Sequence, residues 1–400
     1  MQSPTLDFNR LEVLSLLGRG AKGVVFLVKD NEDDKLLALK VILREAIEKK
    51  KKTPKNDEYR RVSFEQEVLS RFDHPLFPSL RGVISTDKVI GYAIDYCPGK
   101  NLHSLRIMQS ESMFSDEIIR FYAAELVLAF EYLHNQGIVY RDLKPDNVMI
   151  QDNGHLMLVD FDLSTNLPPR TPSPSPSTAT TTPSPGRRKK RLFRFASFCS
   201  SGISPEEESN SIRLSSSSLA VSDSSGEKSN SFVGTEEYVA PEVISGGGHD
   251  FAVDWWSLGV VLYEMLYGTT PFRGSNRKET FFRILSKPPN LVGERTSLRD
   301  LIRRLLEKDP SRRISLEEIK GHEFFRGLDW EKVLLVSRPP YIPALDGGGD
   351  KGKDGSTKMD VENIVQEIFA AREEGEKQKD DISNADVKTK GENGGEWVKG

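Results

Sequence analysis

Every residue from Thr171 to Pro185 is Ser, Thr or Pro except Ala179, and serine dominates again from Ser197 to Ser231. A segment without an apolar face cannot offset the entropy of ordering its backbone, so about 166–230 is expected to be a disordered insertion. Any folded body must then be assembled from a piece before it and a piece after it. The remaining chain is apolar enough to do this, since 37% of the 400 residues are hydrophobic. Lys and Arg number 56 against 60 Asp and Glu, a net charge of -4, which excludes a uniformly basic nucleic-acid binder but leaves room for a local basic patch. Only Cys97 and Cys199 are present, too few for a disulfide framework or a four-thiolate zinc site, and a reducing compartment is expected. No stretch approaches the roughly 18 apolar residues of a membrane span, and Met1 to Arg10 lacks an apolar signal core. The protein is expected to be neither transmembrane nor secreted by that route.

From Leu11 to Leu43 three short β-like runs are separated by glycines and by Asn31-Glu32-Asp33-Asp34, which predicts three antiparallel strands. Phe64, Val68, Leu69 and Phe72 then fall at helical spacing, so one helix packs on that sheet. Two more strands are expected around Leu80 to Ile84 and Val89 to Tyr96. Beyond them the pattern turns helical. Ser115 before Glu117 and Ile118 is an N-cap signal for a helix to His134, and further helices are expected over Val253 to Leu266 and Leu298 to Leu306. From about Asp346 the chain is rich in Gly, Lys, Asp and Glu and is expected to be disordered, apart from a short helix at Val361 to Ala371.

Chemistry-bearing motifs follow in order. Gly18-Arg19-Gly20-Ala21-Lys22-Gly23-Val24-Val25 sits in a turn between two strands. Alone it serves a strand turn as well as a phosphate loop, and a dinucleotide fingerprint would open a helix instead. It is followed by Leu37-Ala38-Leu39-Lys40, then Tyr140-Arg141-Asp142-Leu143-Lys144-Pro145-Asp146-Asn147, Asp160-Phe161-Asp162, Ala240-Pro241-Glu242 and Asp254-Trp255-Trp256-Ser257-Leu258-Gly259. A single Asp or Lys is most often a solvated charge, but this ordered set is not a chance arrangement. The sequence resembles the eukaryotic protein kinases over about Leu11 to Phe325, apart from the insertion.

The resemblance implies an α+β, bilobal kinase fold: a small antiparallel-sheet N-lobe over 11–95, a mainly helical C-lobe over 96–325, an N-terminal extension over 1–10 and a carboxyl-terminal tail over 326–400. It implies ATP and Mg2+ (Mn2+ as the alternative ion) as cofactors, with protein substrates. Gly18, Gly20, Gly23, Val25 and Ala38 would cover the nucleotide, and Lys40 would contact its α- and β-phosphates. Glu65 would hold Lys40; Glu67 is the rival, and Glu65 fits the family spacing to Asp73-His74-Pro75 better. Asp142 would accept the substrate's hydroxyl proton and Lys144 would neutralise the γ-phosphate, while Asn147 and Asp160 would hold the metal. Asp95 and Cys97 would form the hinge that hydrogen-bonds adenine through the backbone, with Ile94 as gatekeeper.

Lys144 two residues beyond Asp142 resembles serine/threonine kinases. Tyr140, Gly234-Thr235-Glu236-Glu237-Tyr238 and Arg338-Pro339-Pro340-Tyr341-Ile342-Pro343 resemble the AGC group, the last as a tail wrapping the body. An Asp at 162, where the family usually has Gly, and the long insertion are similar to the plant-specific AGC branch, and within it to the oxidative-signal-inducible kinases. Asp in place of Gly restricts left-handed backbone angles, although Asp tolerates them better than most residues. Asp146 and Glu264 fall where the group reads substrate arginines, and Asn101 takes the place of a third acidic reader.

Regulation is also implied. Ser231, three residues before Gly234, matches the activation-loop phosphosite, and its phosphate would pair with Arg141. The upstream enzyme implied is a phosphoinositide-dependent kinase. Arg187 to Phe195, with six Lys and Arg residues interleaved with Leu192, Phe193 and Phe195, reads as an anionic-membrane patch, a nuclear-import signal or a plain solubilising charge run. Thr171, Ser173, Ser175, Thr182 and Ser184 each precede a proline and look like targets of mitogen-activated-type kinases. Ser63, after Arg60-Arg61-Val62, is either an autophosphorylation site or a helix N-cap. The expected state is a cytoplasmic monomer, with the plasma-membrane periphery or the nucleus as further locations.

Overall fold

The computed structural model describes residues 5–20, 23–45, 47, 58–167, 234–336 and 361–367. Strands β1 (Leu11–Arg19), β2 (Val24–Asp30), β3 (Lys35–Leu43), β4 (Leu80–Ser85) and β5 (Val89–Asp95) form one antiparallel sheet in the order β1-β2-β3-β5-β4. Alternation along the strands gives this sheet two apolar faces. Register sets Phe26 opposite Leu39 and Leu39 opposite Ala93, a cross-strand row on one face. The neighbouring register sets Lys40 opposite Tyr92 and Ile42 opposite Ile90 on the other face.

That second face receives helix α1 (Glu58–Ser70), with Val62 clustered on Ile42, Ile47 and Ile90. Ser63 lies inside this helix, five positions past its start at Glu58, so its hydroxyl is not an N-cap. The Phe26–Leu39–Ala93 face is covered from both ends of the sequence. Leu6, whose N–H donates to the Val83 carbonyl at 2.9 Å, packs there. So does a helix over 361–367, which contributes Val361 and Val365, the latter fully buried. Its Glu362 accepts from the Thr86 hydroxyl at 2.7 Å and pairs with Lys88 at 3.6 Å. The short helix expected at Val361 to Ala371 is described over 361–367, where an apolar i, i+4 pair packs it into the sheet's core.

The larger lobe is built on α3 (Asp116–Asn135) and α5 (Ala252–Tyr267), with α2 (Leu102–Ile107), α4 (Pro241–Ser245), α6 (Arg277–Ser286), α7 (Ser297–Leu305) and α8 (Leu316–Lys320) around them. Ser115 occupies the N-cap of α3, but its hydroxyl makes no capping bond there. Gly259 lets α5 meet α7 closely, since a Cβ at that position would lie 2.8 Å from Leu305 Cβ. Short ladders pair β6 (Ile138–Val139) with β9 (Thr165–Asn166) and β7 (Val148–Ile150) with β8 (Leu156–Leu158). These ladders hold two loops, at 140–147 and 159–164, against the top of the helical lobe. Among the described residues no helix is long and apolar enough to cross a membrane.

The tail contact has a direct test. Val365→Asp places a carboxylate in the sheet's core or strips the helix from it, and should cost at least about 3 kcal/mol, lowering Tm by roughly 5–10 °C. An unchanged Tm in thermal unfolding would mean that 361–367 is not part of the fold.

Candidate active site

Lys40 and Glu65 meet across the gap between β3 and α1. Lys40 Nζ donates to Glu65 Oε2 at 2.9 Å and to Oε1 at 3.1 Å, and also reaches Asp160 Oδ1 at 3.3 Å. Glu65 is 2% exposed, whereas the Glu67 side chain is open to solvent and lies 4.0 Å from Arg71. Of the two neighbouring glutamates, the helix turns only Glu65 toward the sheet. Burial opposes the charge on Lys40, but Glu65, with Asp160, outweighs it and holds the ammonium well above its usual range. The Phe161 N–H donates to Glu65 Oε1 at 3.1 Å, so the same carboxylate grips the Asp160-Phe161-Asp162 loop. Phe161 is fully buried, its ring 4.8 Å from that of Phe72 and 5.4 Å from that of Tyr140.

The loop that carries Asp142 hangs from a carboxylate on α5. Asp254 is fully buried and accepts from the backbone N–H of Tyr140 at 3.0 Å and of Arg141 at 2.8 Å. His134, at the end of α3, lies 2.8 Å from the same group through Nε2. Arg141 is held at φ 71 and Asp160 at φ 62, left-handed backbone that costs a non-glycine residue about 1–3 kcal/mol and persists only where surroundings enforce it. The Tyr140 hydroxyl donates to the Val159 carbonyl at 2.5 Å, which ties this loop to the one beside it. Burial, followed by the Asp142 and Asp160 carboxylates, pushes the Tyr140 phenol well above its ordinary range, so it stays a neutral donor.

Around Asp142 the polar groups converge. Lys144 Nζ donates to Asp142 Oδ2 at 2.9 Å and the Asn147 amide donates to the same oxygen at 3.1 Å. The Thr235 hydroxyl donates to Asp142 Oδ1 at 2.8 Å and accepts from Lys144 at 3.2 Å. Asp142 and Lys144 thus bracket one alcohol oxygen between a carboxylate and an ammonium. Asn147 also donates to the Asp142 carbonyl at 2.9 Å and, through its own carbonyl, accepts from the Val159 N–H at 3.1 Å, which brings it beside Asp160. Among the described residues no three His, Cys, Asp or Glu side chains cluster as a self-sufficient metal cage. Asn147 and Asp160 fit the other arrangement, in which one or two protein oxygens hold a divalent ion and bound phosphates complete its shell.

Gly18, Gly20, Gly23 and Val25 lie along the β1–β2 turn, which closes with the Gly20 N–H donating to the Gly23 carbonyl at 2.8 Å. A Cβ on Gly23 would sit 2.7 Å from the Val41 carbonyl, so no other residue fits there without displacing β3. Ala38 is half-buried in β3, opposite Ile94. Asp95 commits its side chain to Arg81, from which it accepts at 2.6 Å, and to the Ser79 N–H at 2.9 Å. Cys97 is buried with Sγ 3.4 Å from Met157 Sδ, and burial pushes its thiol up to about 12. Asp162 is not in the left-handed region, so in this arrangement replacing glycine by Asp carries no backbone penalty.

The two acids expected to read substrate arginines differ. Asp146 is exposed. Glu264 is 6% exposed, pairs with Arg106 at 2.9 Å and accepts from the Tyr238 hydroxyl at 2.5 Å. Asn101 caps α2, accepting from the Ser104 N–H at 2.9 Å. Ser231, the proline-flanked sites and Arg187 to Phe195 lie outside the described residues. Sequence reasoning quoted Thr235 and Asp254 inside motifs without giving either a task. His134 and His249 carried no signal, being isolated histidines far in sequence from the groups they touch.

A cleft between a five-stranded lobe and a helical lobe, with a lysine–glutamate pair on one side and a Lys-bracketed aspartate on the other, defines a phosphotransferase of the protein kinase class. The protein kinase domain model matches residues 11–184 and 206–325, and the chain belongs to that family. Over 403 aligned residues, all of this chain and 94% of the relative, it is 82% identical to the serine/threonine-protein kinase OXI1 of Arabidopsis thaliana. It is 42% identical over 366 residues to the serine/threonine-protein kinase UCN of the same plant, covering 87% of each chain. Phototropin-2 of Oryza sativa subsp. japonica is 38% identical over 332 residues, or 81% of this chain and 33% of that protein. The chain is a serine/threonine protein kinase of the plant AGC type, using ATP and a divalent metal ion on protein substrates.

The hinge cysteine gives a chemical check. With its thiol near 12, only about one part in ten thousand of Cys97 is thiolate at pH 8, so iodoacetamide should leave it unmodified in the folded protein and alkylate it after guanidinium unfolding. Equal labelling in both states, read by peptide mass spectrometry, would contradict the buried placement.

Proposed function

We propose that Asp142 is the acceptor for the substrate hydroxyl proton and that the reaction proceeds by positioning and charge neutralisation, without a covalent enzyme intermediate. The observation that carries this is the pair of contacts on the Thr235 hydroxyl, donor to Asp142 and acceptor from Lys144. A substrate serine or threonine needs the same treatment: its proton drawn toward a carboxylate, with a nearby ammonium to hold negative charge. Lys40, kept protonated by Glu65, orients the α- and β-phosphates, and the β1–β2 turn covers them. Asn147 and Asp160 hold the ion, with Mg2+ favoured by two oxygen ligands and Mn2+ as the alternative. When bound, ATP would supply the transferred γ-phosphoryl group and the ion held by Asn147 and Asp160 would neutralise charge on its phosphates.

Substrates carry basic residues upstream of the target hydroxyl, read first by exposed Asp146 and then by Glu264 in competition with Arg106. Activity rises when Ser231 is phosphorylated by an upstream phosphoinositide-dependent kinase, the phosphate pairing with Arg141. Proline-directed phosphorylation at Thr171 to Ser184 opposes the charge of Arg187 to Phe195, a cluster suited to an anionic membrane surface or to nuclear import. The protein works as a monomer in the cytoplasm and at one of those two destinations. The signalling role is in plant stress, defence or growth, a reading supported by the chain's similarity to OXI1.

Phosphate transfer from ATP to an arginine-containing Ser/Thr peptide, with magnesium or manganese, tests the assignment. The parent should be active, Asp142→Asn should lose about a thousandfold or more, and Ser231→Ala should be weak. A parent phosphorylated at Ser231 that is as silent as Asp142→Asn would contradict the catalytic reading.

A further inference from the structure

Arg141 is the residue on which three separate segments converge. Its backbone N–H is taken by Asp254 on α5, its Nε donates to the Leu163 carbonyl at 2.7 Å, and its NH1 lies 3.3 Å from His249 Nε2. His249 is 3% exposed and comes from the connection between α4 and α5. Gly246 and Gly248 in that connection are left-handed, at φ 67 and 72, and turn the chain back so that the next side chain enters the interior.

The chemistry of the contact assigns its proton. A guanidinium has only donors, so Nε2 must be the acceptor and the ring hydrogen must sit on Nδ1. The groups that face the imidazole are Arg141 from the catalytic loop, Asp254 from α5, Glu242 from α4 and Asp250 beside it. Burial, then the Arg141 charge, outweigh these carboxylates and push His249 down to about 4, so the ring is neutral across the physiological range. A neutral acceptor is what this place requires, because an imidazolium there would face a second cation.

We propose that His249 is a positioning residue for phosphate transfer: its Nε2 fixes the Arg141 guanidinium and, through the adjoining peptide, the orientation of Asp142. The left-handed backbone of Arg141 needs enforcement from outside, and the guanidinium is gripped on two sides, by Leu163 and by His249. The loop leading into α5 thereby becomes part of the catalytic frame without touching ATP or substrate. This goes beyond the reading of Ser231, since it holds with or without phosphate on that serine.

The test uses the full chain with ATP and the same peptide, reading kcat and the ATP KM separately. His249→Phe keeps a buried ring but has no acceptor; kcat should fall at least about tenfold, the rate equivalent of one hydrogen bond to a charged group, with the ATP KM changed less than about twofold. His249→Gln, whose carboxamide oxygen can accept from Arg141, should recover most of the rate. In an Arg141→Ala background the Phe substitution should cost nothing further, because its effect passes through the guanidinium. Melting temperatures are read for each variant, and His249→Leu, smaller than Phe and equally without an acceptor, replaces Phe if that protein does not fold. The proposal is overturned if the acceptor-less variant matches the parent in kcat, if Gln is as slow as Phe or Leu, or if the losses add in the Arg141→Ala background.

Discussion

The buried carboxylate of Asp254 organises this molecule. It has no exposure to solvent, and its oxygens are taken by two successive backbone N–H groups of the catalytic loop and approached by His134. A charge so placed is costly unless hydrogen bonds satisfy it, and here they come from the segment that must be held still. With Tyr140 and Arg141 fixed, Asp142 projects toward Lys144, Asn147 and Thr235. The helical lobe supplies the site's rigidity by hanging a loop from a helix.

A second carboxylate performs the matching task in the small lobe. Glu65 accepts from Lys40 and from the Phe161 N–H, so one side chain aligns the lysine and the loop that presents Asp160. Its helix packs on a sheet whose opposite face is completed by Leu6 and by 361–367. The geometry at Lys40 therefore depends on segments from far outside the cleft. This is a physical reason for the tail to belong to the kinase body: a sheet that must be rigid on its cleft side cannot leave ten or so apolar side chains uncovered on the other.

Much of this was legible in the chain. Strand alternation located the five strands, and the ordered motifs holding the glycines, Lys40, Asp142, Asn147 and Asp160 carried the resemblance to protein kinases that implied the chemistry. Contacts made by an unremarkable residue were not legible. Glu264 reads in the sequence as a substrate acid, yet its carboxylate is paired with Arg106, 158 positions away in sequence and adjacent in space. Asn101 takes the role of a helix cap because its short amide reaches the backbone. His249 gives no periodic or motif signal, and only three-dimensional proximity to Arg141 reveals it.

The central claim is that Asp254 sets the catalytic loop's geometry independently of nucleotide binding. Asp254→Asn keeps the size of the side chain but turns one acceptor oxygen into a donor, so one of the two backbone N–H groups loses its partner. Steady-state kinetics of this variant should show kcat reduced about 100-fold, the effect of displacing a reacting group by about 1 Å, with the ATP KM changed only a few-fold. A kcat equal to the parent's, or a loss confined to the ATP KM, would contradict the account.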